Sequence, residues 1–380
     1  METMLCYNNE INEIRSVIVA LKTNRVNRIL KLMKEEGINQ LLITSPASIY
    51  YLTERHIHPG ERMVCIYLNY HGEATLVINE LFPFKEVEGL KLLWYKDSEE
   101  PVDKLLTLVD SSCSLGIDKE WPSRFLIKLM EKEAAKGYVN SSYIIDRVRM
   151  IKDEEEQNLM REASRINDRV MERLIASIKG DISEKRMTNI LLDIYQEEGA
   201  EDFSFSPIIA YGANGADPHH DCDGSLLKKG DSIILDIGGI KNNYCSDMTR
   251  TVFYKGVSEE HRAIYEIVRK ANEAAIKMVK PGVRFCDIDR AAREIIEEAG
   301  YGKYFTHRTG HSIGLEVHDF GDVSSVNTDK LEAGMIFSIE PGIYLPGDFG
   351  VRIEDLVLVT EDGVEVLNSS SKDLRIIGEE

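Results

Sequence analysis

Four acidic residues stand in apolar segments of the chain. Asp236 in SIILDIGGI and Asp247 in CSDMTRTVFY lie 11 residues apart, and Glu340 in MIFSIEPGIYL precedes Glu354 in GVRIEDLVLVT by 14. An unpaired carboxylate buried in an apolar strand costs several kcal/mol, so each needs a partner. Taken singly, each could face solvent or meet a remote base, and Glu354 could pair with Arg352 along its own strand. Two such pairs together favour a shared cation, and oxygen donors select hard ions such as manganese, magnesium, calcium or cobalt over thiophilic ones. Six of the nine histidines fall between His219 and His318, with His307, His311 and His318 in an H-x3-H-x6-H arrangement. Histidine brings a borderline ligand and a proton carrier to the same region. The constellation this suggests is four carboxylates and one imidazole around two cations ~3.5 Å apart, with a bridging water made nucleophilic by both. That is hydrolytic chemistry, and spacing alone does not name a substrate.

The elements that must position these residues are readable from periodicity. SIILDIGGI and CSDMTRTVFY, joined by KNNY, read as one hairpin, and MIFSIEPGIYL and GVRIEDLVLVT, joined by PGDFG, as a second. Long helical patterns over 154–178, 184–198, 259–279 and 286–299 alternate with them, so two helix-plus-hairpin halves suggest an internal pseudo-symmetry. Upstream, Val26, Ile29, Leu30 and Met33 mark an amphipathic helix that Gly37 stops, and short apolar runs (QLLITS, MVCIYLNY, ATLVINE, KLLWY, SLGID) follow as strands. The expected organisation is α/β in two domains: an extension over 1–20, an α/β domain over 21–150 and a second domain over 151–380.

Composition narrows the function. The 380 residues carry a net charge of −19, almost all of it in residues 151–380. Such a surface repels phosphate, so neither nucleic acid nor an anionic membrane is an expected partner. Six scattered cysteines without a C-x-x-C pair, no basic leader and no apolar run of ~18 residues point to a cytoplasmic protein.

The ordered segments ILDIGGIKNNYCSDMTRT, TGHSIGLEVHD, IEPGIY and GVRIED resemble the metallopeptidase family with the pita-bread fold, which includes methionine aminopeptidase, aminopeptidase P and prolidase. The resemblance implies Asp236, Asp247, His311, Glu340 and Glu354 as ligands of two divalent ions, manganese first, with cobalt or zinc as alternatives. A preceding domain of this size is similar to the creatinase, prolidase and aminopeptidase P branch. The implied fold is therefore a creatinase-like α/β N-terminal domain before a pseudo-two-fold α+β catalytic domain. The implied activity is hydrolysis of the Xaa-Pro bond at a peptide N-terminus. Glu340 would serve as general base and acid, and His219 and His318 would stabilise the tetrahedral intermediate. His307 and Arg352 match further pocket positions of aminopeptidase P.

Asp322 falls near the place where archaeal-type prolidases carry a carboxylate-binding arginine, which favours longer peptides over dipeptides. The branch commonly forms homodimers in which an N-domain loop reaches the neighbouring pocket, so His58, with His56 and Arg62, is a candidate for substrate binding. His220, Tyr344, Phe320, Cys222 and Cys245 read as loop, wall or packing residues. The alternatives are a strict Xaa-Pro dipeptidase, a non-catalytic peptide-binding module and a metal-independent amidinohydrolase of the creatinase type. The last two would show eroded ligands, and none is eroded here.

Overall fold

The computed structural model describes residues 20–378, so the segment read as an N-terminal extension lies, except for Ala20, outside the described residues. The chain divides into two compact units, Met1–Ile145 and Asp146–Glu380, with the division inside helix α5 (Ser142–Met150).

In the first unit, strands β1 (Gln40–Ile43), β2 (Cys65–Asn69), β3 (Ala74–Asn79), β4 (Leu90–Tyr95), β5 (Ser114–Ile117) and β6 (Gly137–Asn140) form one mixed sheet in the order β4-β3-β2-β1-β5-β6. Helices α1 (Thr23–Glu35), α2 (Pro46–Thr53), α3 (Pro101–Leu106) and α4 (Ser123–Glu131) precede β1, β2, β5 and β6, and β2, β3 and β4 follow one another directly. Helix α1 buries Val26, Ile29 and Met33 as the spacing requires, and Gly37 follows it at φ +68°.

The second unit repeats one plan twice. Helices α6 (Glu154–Ser177) and α7 (Glu184–Glu198) pack on β7 (Asp202–Phe203), β8 (Ile208–Tyr211), β9 (Ser232–Ile237), β10 (Gly239–Lys241), β11 (Tyr244–Cys245) and β12 (Met248–Tyr254). Helices α8 (Glu259–Met278) and α9 (Phe285–Glu298) pack on β13 (Gly310–His311), β14 (Asp322–Val323), β15 (Ile336–Ile339), β16 (Gly342–Leu345), β17 (Phe349–Arg352) and β18 (Asp355–Val359). Strands β19 (Val364–Val366) and β20 (Ile376–Ile377) complete the edges beside β18 and β12. Each half has its own apolar cluster, one built on Val170, Leu174, Leu191, Ile233 and Leu235, the other on Val268, Ile288, Phe337, Val351 and Val357. Local sequence starts the helices: Asp153 and Glu156 form a reciprocal cap on α6, and Ser183 and Ser258 cap α7 and α8.

The long strands expected from sequence are interrupted, and the interruptions matter. SIILDIGGI breaks at Gly238, where a Cβ would lie 2.2 Å from the Ser246 carbonyl oxygen. The expected KNNY turn is confined to the small β10–β11 ribbon, with Asn242 and Asn243 both at positive φ. MIFSIEPGIYL breaks at Glu340-Pro341, since proline has no N–H for the ladder. GVRIEDLVLVT breaks at Ile353-Glu354. Inner pairing is thus β15 with β18, and outer pairing β16 with β17 in a separate sheet.

Buried asparagines on the central helices bind the carbonyls freed at these breaks. Asn167 of α6 donates to the Ile237 carbonyl at 3.0 Å, and Asn272 of α8 donates to those of Ile339 and Ile353 at 2.9 and 3.3 Å. Gly310 is a second backbone constraint, because a Cβ there would lie 1.9 Å from the Ser338 carbonyl oxygen. Gly310→Ala is expected to destabilise the protein by about 2 kcal/mol, read as a lower urea midpoint at unchanged slope.

Candidate metal centre and substrate pocket

The second unit holds a cavity of about 650 Å3, and Asp236, Asp247, His311, Glu340 and Glu354 all line it. On β9, Ile233, Leu235 and Ile237 face the first apolar cluster, so the two-residue period turns Asp236 to the opposite face. Asp247 immediately precedes β12, while Glu340 and Glu354 sit at the strand breaks. Three of the four carboxylates therefore occupy positions where ladder pairing lapses, and backbone bonds fix them: the Glu340 N–H donates to Thr309 and the Glu354 N–H to Thr249.

Their side chains are only half satisfied. Asp236 accepts from the Arg352 guanidinium at 2.5 Å, and Glu354 from the Thr249 hydroxyl at 2.7 Å. Asp236 Oδ1, Asp247 Oδ1 and Glu354 Oε1 are buried without any hydrogen-bond partner. His311 Nδ1 faces the Ser312 carbonyl at 3.2 Å, which assigns the proton to that nitrogen. Its Nε2 lone pair then faces Asp247 at 3.6 Å and Glu340 at 3.4 Å.

Burial, aided by His318, lowers the His311 pKa to about 3, so the imidazole is neutral as a ligand requires. Burial and the neighbouring carboxylates Glu354, Asp236 and Glu340 hold Asp247 well above the usual range. Glu354 is raised in the same way, and burial pushes Glu340 up to about 7. Such a set of crowded, partnerless oxygens with one neutral imidazole fits divalent cations. Donor atoms of Asp247, His311 and Glu354 all lie within 4.8 Å of one another.

Around this floor the structure gathers His219, His307, His318 and Arg352 on the cavity wall. His318 meets the His311 ring edge-on at 4.2 Å, and the adjacent Asp319 is buried against Arg149 at 2.5 Å, which fixes the turn. Burial, with help from Arg308 and His219, lowers the His318 pKa. Arg352 reaches three groups, Asp236, the Tyr344 hydroxyl at 2.9 Å and Thr249 Oγ1 at 3.2 Å.

The Tyr344 hydroxyl in turn meets His307 Nε2 at 2.8 Å, while His307 Nδ1 meets the Arg308 carbonyl at 2.6 Å. Since Arg352 donates to the Tyr344 oxygen, that hydroxyl's proton goes to His307. Burial and the Arg352 charge depress the His307 pKa to about 4. Both ring nitrogens of His307 are therefore engaged within the protein, and its carbon edge is what remains for a ligand. Tyr344, read from sequence as a wall residue, is the link in this chain from Asp236 to His307. Nothing in its local sequence signals this, because its partners lie on other segments.

Other sequence candidates lie elsewhere. Asp322 sits opposite His311 across the β13–β14 pair, but it is not on the cavity wall, and its carboxylate accepts from Asn327. His58 belongs to the first unit, where it stacks with His56, and Arg62 forms a bidentate pair with Asp97. Phe320 is exposed, Cys222 donates to the Pro207 carbonyl, and Cys245 packs in an apolar cluster.

Sequence reasoning missed Glu184. Its buried carboxylate accepts from the Tyr211 and Asp223 N–H groups, the Asn214 amide and His220, and so closes the loop that carries His219. With its lone pairs engaged in this way, the Glu184, His220 and Asp223 cluster is a loop clamp. Arg308, also missed, is an exposed cavity-lining cation between His307 and His311. Among the described residues no helix is long and apolar enough to cross a membrane.

Comparison with known proteins agrees with this geometry. Residues 158–361 match the model of metallopeptidase family M24, and residues 25–151 match the creatinase/prolidase N-terminal domain. An uncharacterized peptidase of Staphylococcus epidermidis is 36% identical over 359 residues, covering 92% of this chain and 99% of that protein. Among solved structures, a recombinant prolidase from Thermococcus sibiricus aligns with a TM-score of 0.86 at 34% identity over 93% of this chain and 99% of its own. An X-Pro aminopeptidase from Thermotoga maritima aligns with a TM-score of 0.81 at 29% identity, covering 93% and 99%. With the carboxylates, the imidazole and both matched regions in place, the chain belongs to metallopeptidase family M24, as a pita-bread catalytic domain preceded by a creatinase/prolidase-type domain.

Proposed function

We propose that this peptidase binds two divalent ions through Asp236, Asp247, His311, Glu340 and Glu354 and hydrolyses the Xaa-Pro bond at the N-terminus of peptides. The observation that carries the reading is the set of partnerless buried oxygens on Asp236, Asp247 and Glu354 beside the free Nε2 of His311. When bound, the ions supply Lewis acidity and a water acidified toward neutral pH. Glu340, which lines the cavity beside His311, takes the proton of the attacking water and passes it to the proline nitrogen as the bond breaks. That transfer matters because the tertiary amide leaves as a secondary amine that must be protonated. His219 and His318 stand on the cavity wall to meet the developing oxyanion. Arg352 holds Asp236 and, through Tyr344, sets the orientation of His307.

The relatives support proline specificity, since one solved structure is a prolidase and another an X-Pro aminopeptidase. Asp322 supports length discrimination only weakly, because it stands off the cavity wall. The test is hydrolysis of Ala-Pro and of the same sequence extended by several residues, using metal-stripped protein restored with manganese, cobalt or zinc in turn. Cleavage confined to the extended peptide identifies an aminopeptidase, and preference for Ala-Pro a dipeptidase. No cleavage with any metal would refute the reading.

A further inference from the structure

The cavity presents two guanidinium groups in different states. Arg352 is buried and bonded on three sides by Asp236, Tyr344 and Thr249. Arg308 is exposed and lines the same cavity, yet its side chain makes no hydrogen bond or ion pair among the described residues. The backbone around it is held firmly: its own carbonyl accepts from His307, the preceding carbonyl of His307 accepts from Arg293 at 3.0 Å, and the Thr309 N–H donates to Val323. A fixed backbone with a free guanidinium is a poised binding group.

We propose that Arg308 is a specificity residue that binds a substrate carboxylate at the cavity mouth. The inference rests on the peptidase reading above, because a short peptide offers two such anions: its own C-terminal carboxylate, or an acidic side chain on the residue before proline. A planar guanidinium matches either one through two parallel N–H donors. In a chain of net charge −19 whose cavity carries Asp221 and four further carboxylates, a cation left without an internal partner has a clear role in holding an anionic ligand. If the first source applies, Arg308 provides the carboxylate contact for which Asp322 is unsuited, and the preferred substrate becomes the dipeptide.

The test compares wild type, Arg308→Gln and Arg308→Lys on three substrates: Ala-Pro, its C-terminal amide, and Asp-Pro amide. For Arg308→Gln the expected result is a fall of about 10- to 100-fold in the kcat/KM ratio of a carboxylate substrate over Ala-Pro amide, carried mainly by KM. Arg308→Lys should recover part of it. A fall confined to Ala-Pro assigns the C-terminal carboxylate, and one confined to Asp-Pro amide assigns the acidic side chain. Equal changes on all three substrates, or none, overturn the proposal. Equilibrium binding of Ala-Pro and of Asp-Pro amide, each against Ala-Pro amide, reads the same ratios without turnover. A wild type that cleaves nothing would therefore refute the peptidase reading and still leave the role of Arg308 decided by the binding ratio.

Discussion

Glu340→Gln is expected to lower kcat by about 1,000-fold while the protein stays folded, even with manganese added in excess to refill the weakened site. The substitution keeps the size of the side chain and an oxygen that can accept from Ser338, which donates to Glu340 at 3.1 Å. What it removes is the capacity to take and return a proton. In the metal-free protein burial raises the Glu340 carboxyl to about 7, and an oxygen of that carboxyl stands 3.4 Å from His311 Nε2. Single-turnover kinetics on an Xaa-Pro peptide, paired with metal analysis and a thermal midpoint, separate the chemical loss from loss of ions or fold. Wild-type turnover in the glutamine variant would remove Glu340 from the mechanism.

Asp247→Asn should produce the opposite pairing, a more stable metal-free protein that has lost its response to metal. Glu340 rises from about 4.5 in an unfolded chain to about 7 in the fold, and Asp247 and Glu354 are raised in the same direction. A carboxyl raised in this way favours the fold fully below its unfolded value, and that contribution is lost as pH climbs through the folded one. Metal-free protein is therefore expected to lose stability between about pH 4.5 and pH 7, by at most about 3 kcal/mol for Glu340 alone. Divalent ions offset the crowded charge, so the rise in Tm on adding manganese should grow from pH 5.5 to pH 8.

Replacing Asp247 by asparagine takes one negative charge out of the cluster. At pH 8 the metal-free variant should melt above metal-free wild type, without the manganese-induced rise and without activity. Calorimetry with and without chelator reads all of these, and a variant that melts lower than wild type at pH 8 would contradict the electrostatic account.

The five residues that share the cavity floor were legible because acids in apolar runs and clustered histidines violate local expectation, and a violation of that kind is visible in one dimension. The helices were legible for the opposite reason, since spacing and caps such as Asp153 with Glu156 agree with each other. The strand breaks at Gly238 and Ile353 were not, because each depends on a contact with another segment. The same holds for the pairing of Arg352: its strand neighbour Glu354 was the obvious partner, yet it reaches Asp236, 116 positions away. Glu184 and Arg308 escaped attention as ordinary charged residues in polar segments. Only the fold shows that one is fully buried at a helix start and the other stands unpaired on the cavity.

The proposed ligands run from Asp236 to Glu354 and come from both halves of the catalytic unit, so on this reading neither half alone carries a complete set. During synthesis the protein would therefore stay inert until Glu354 has cleared the ribosome and the second half has closed on the first. A nascent or truncated chain has helices and an apolar cluster but no means of cutting its neighbours. In the mature protein, a slight parting of the halves would switch the enzyme off well before either of its two separate cores has melted.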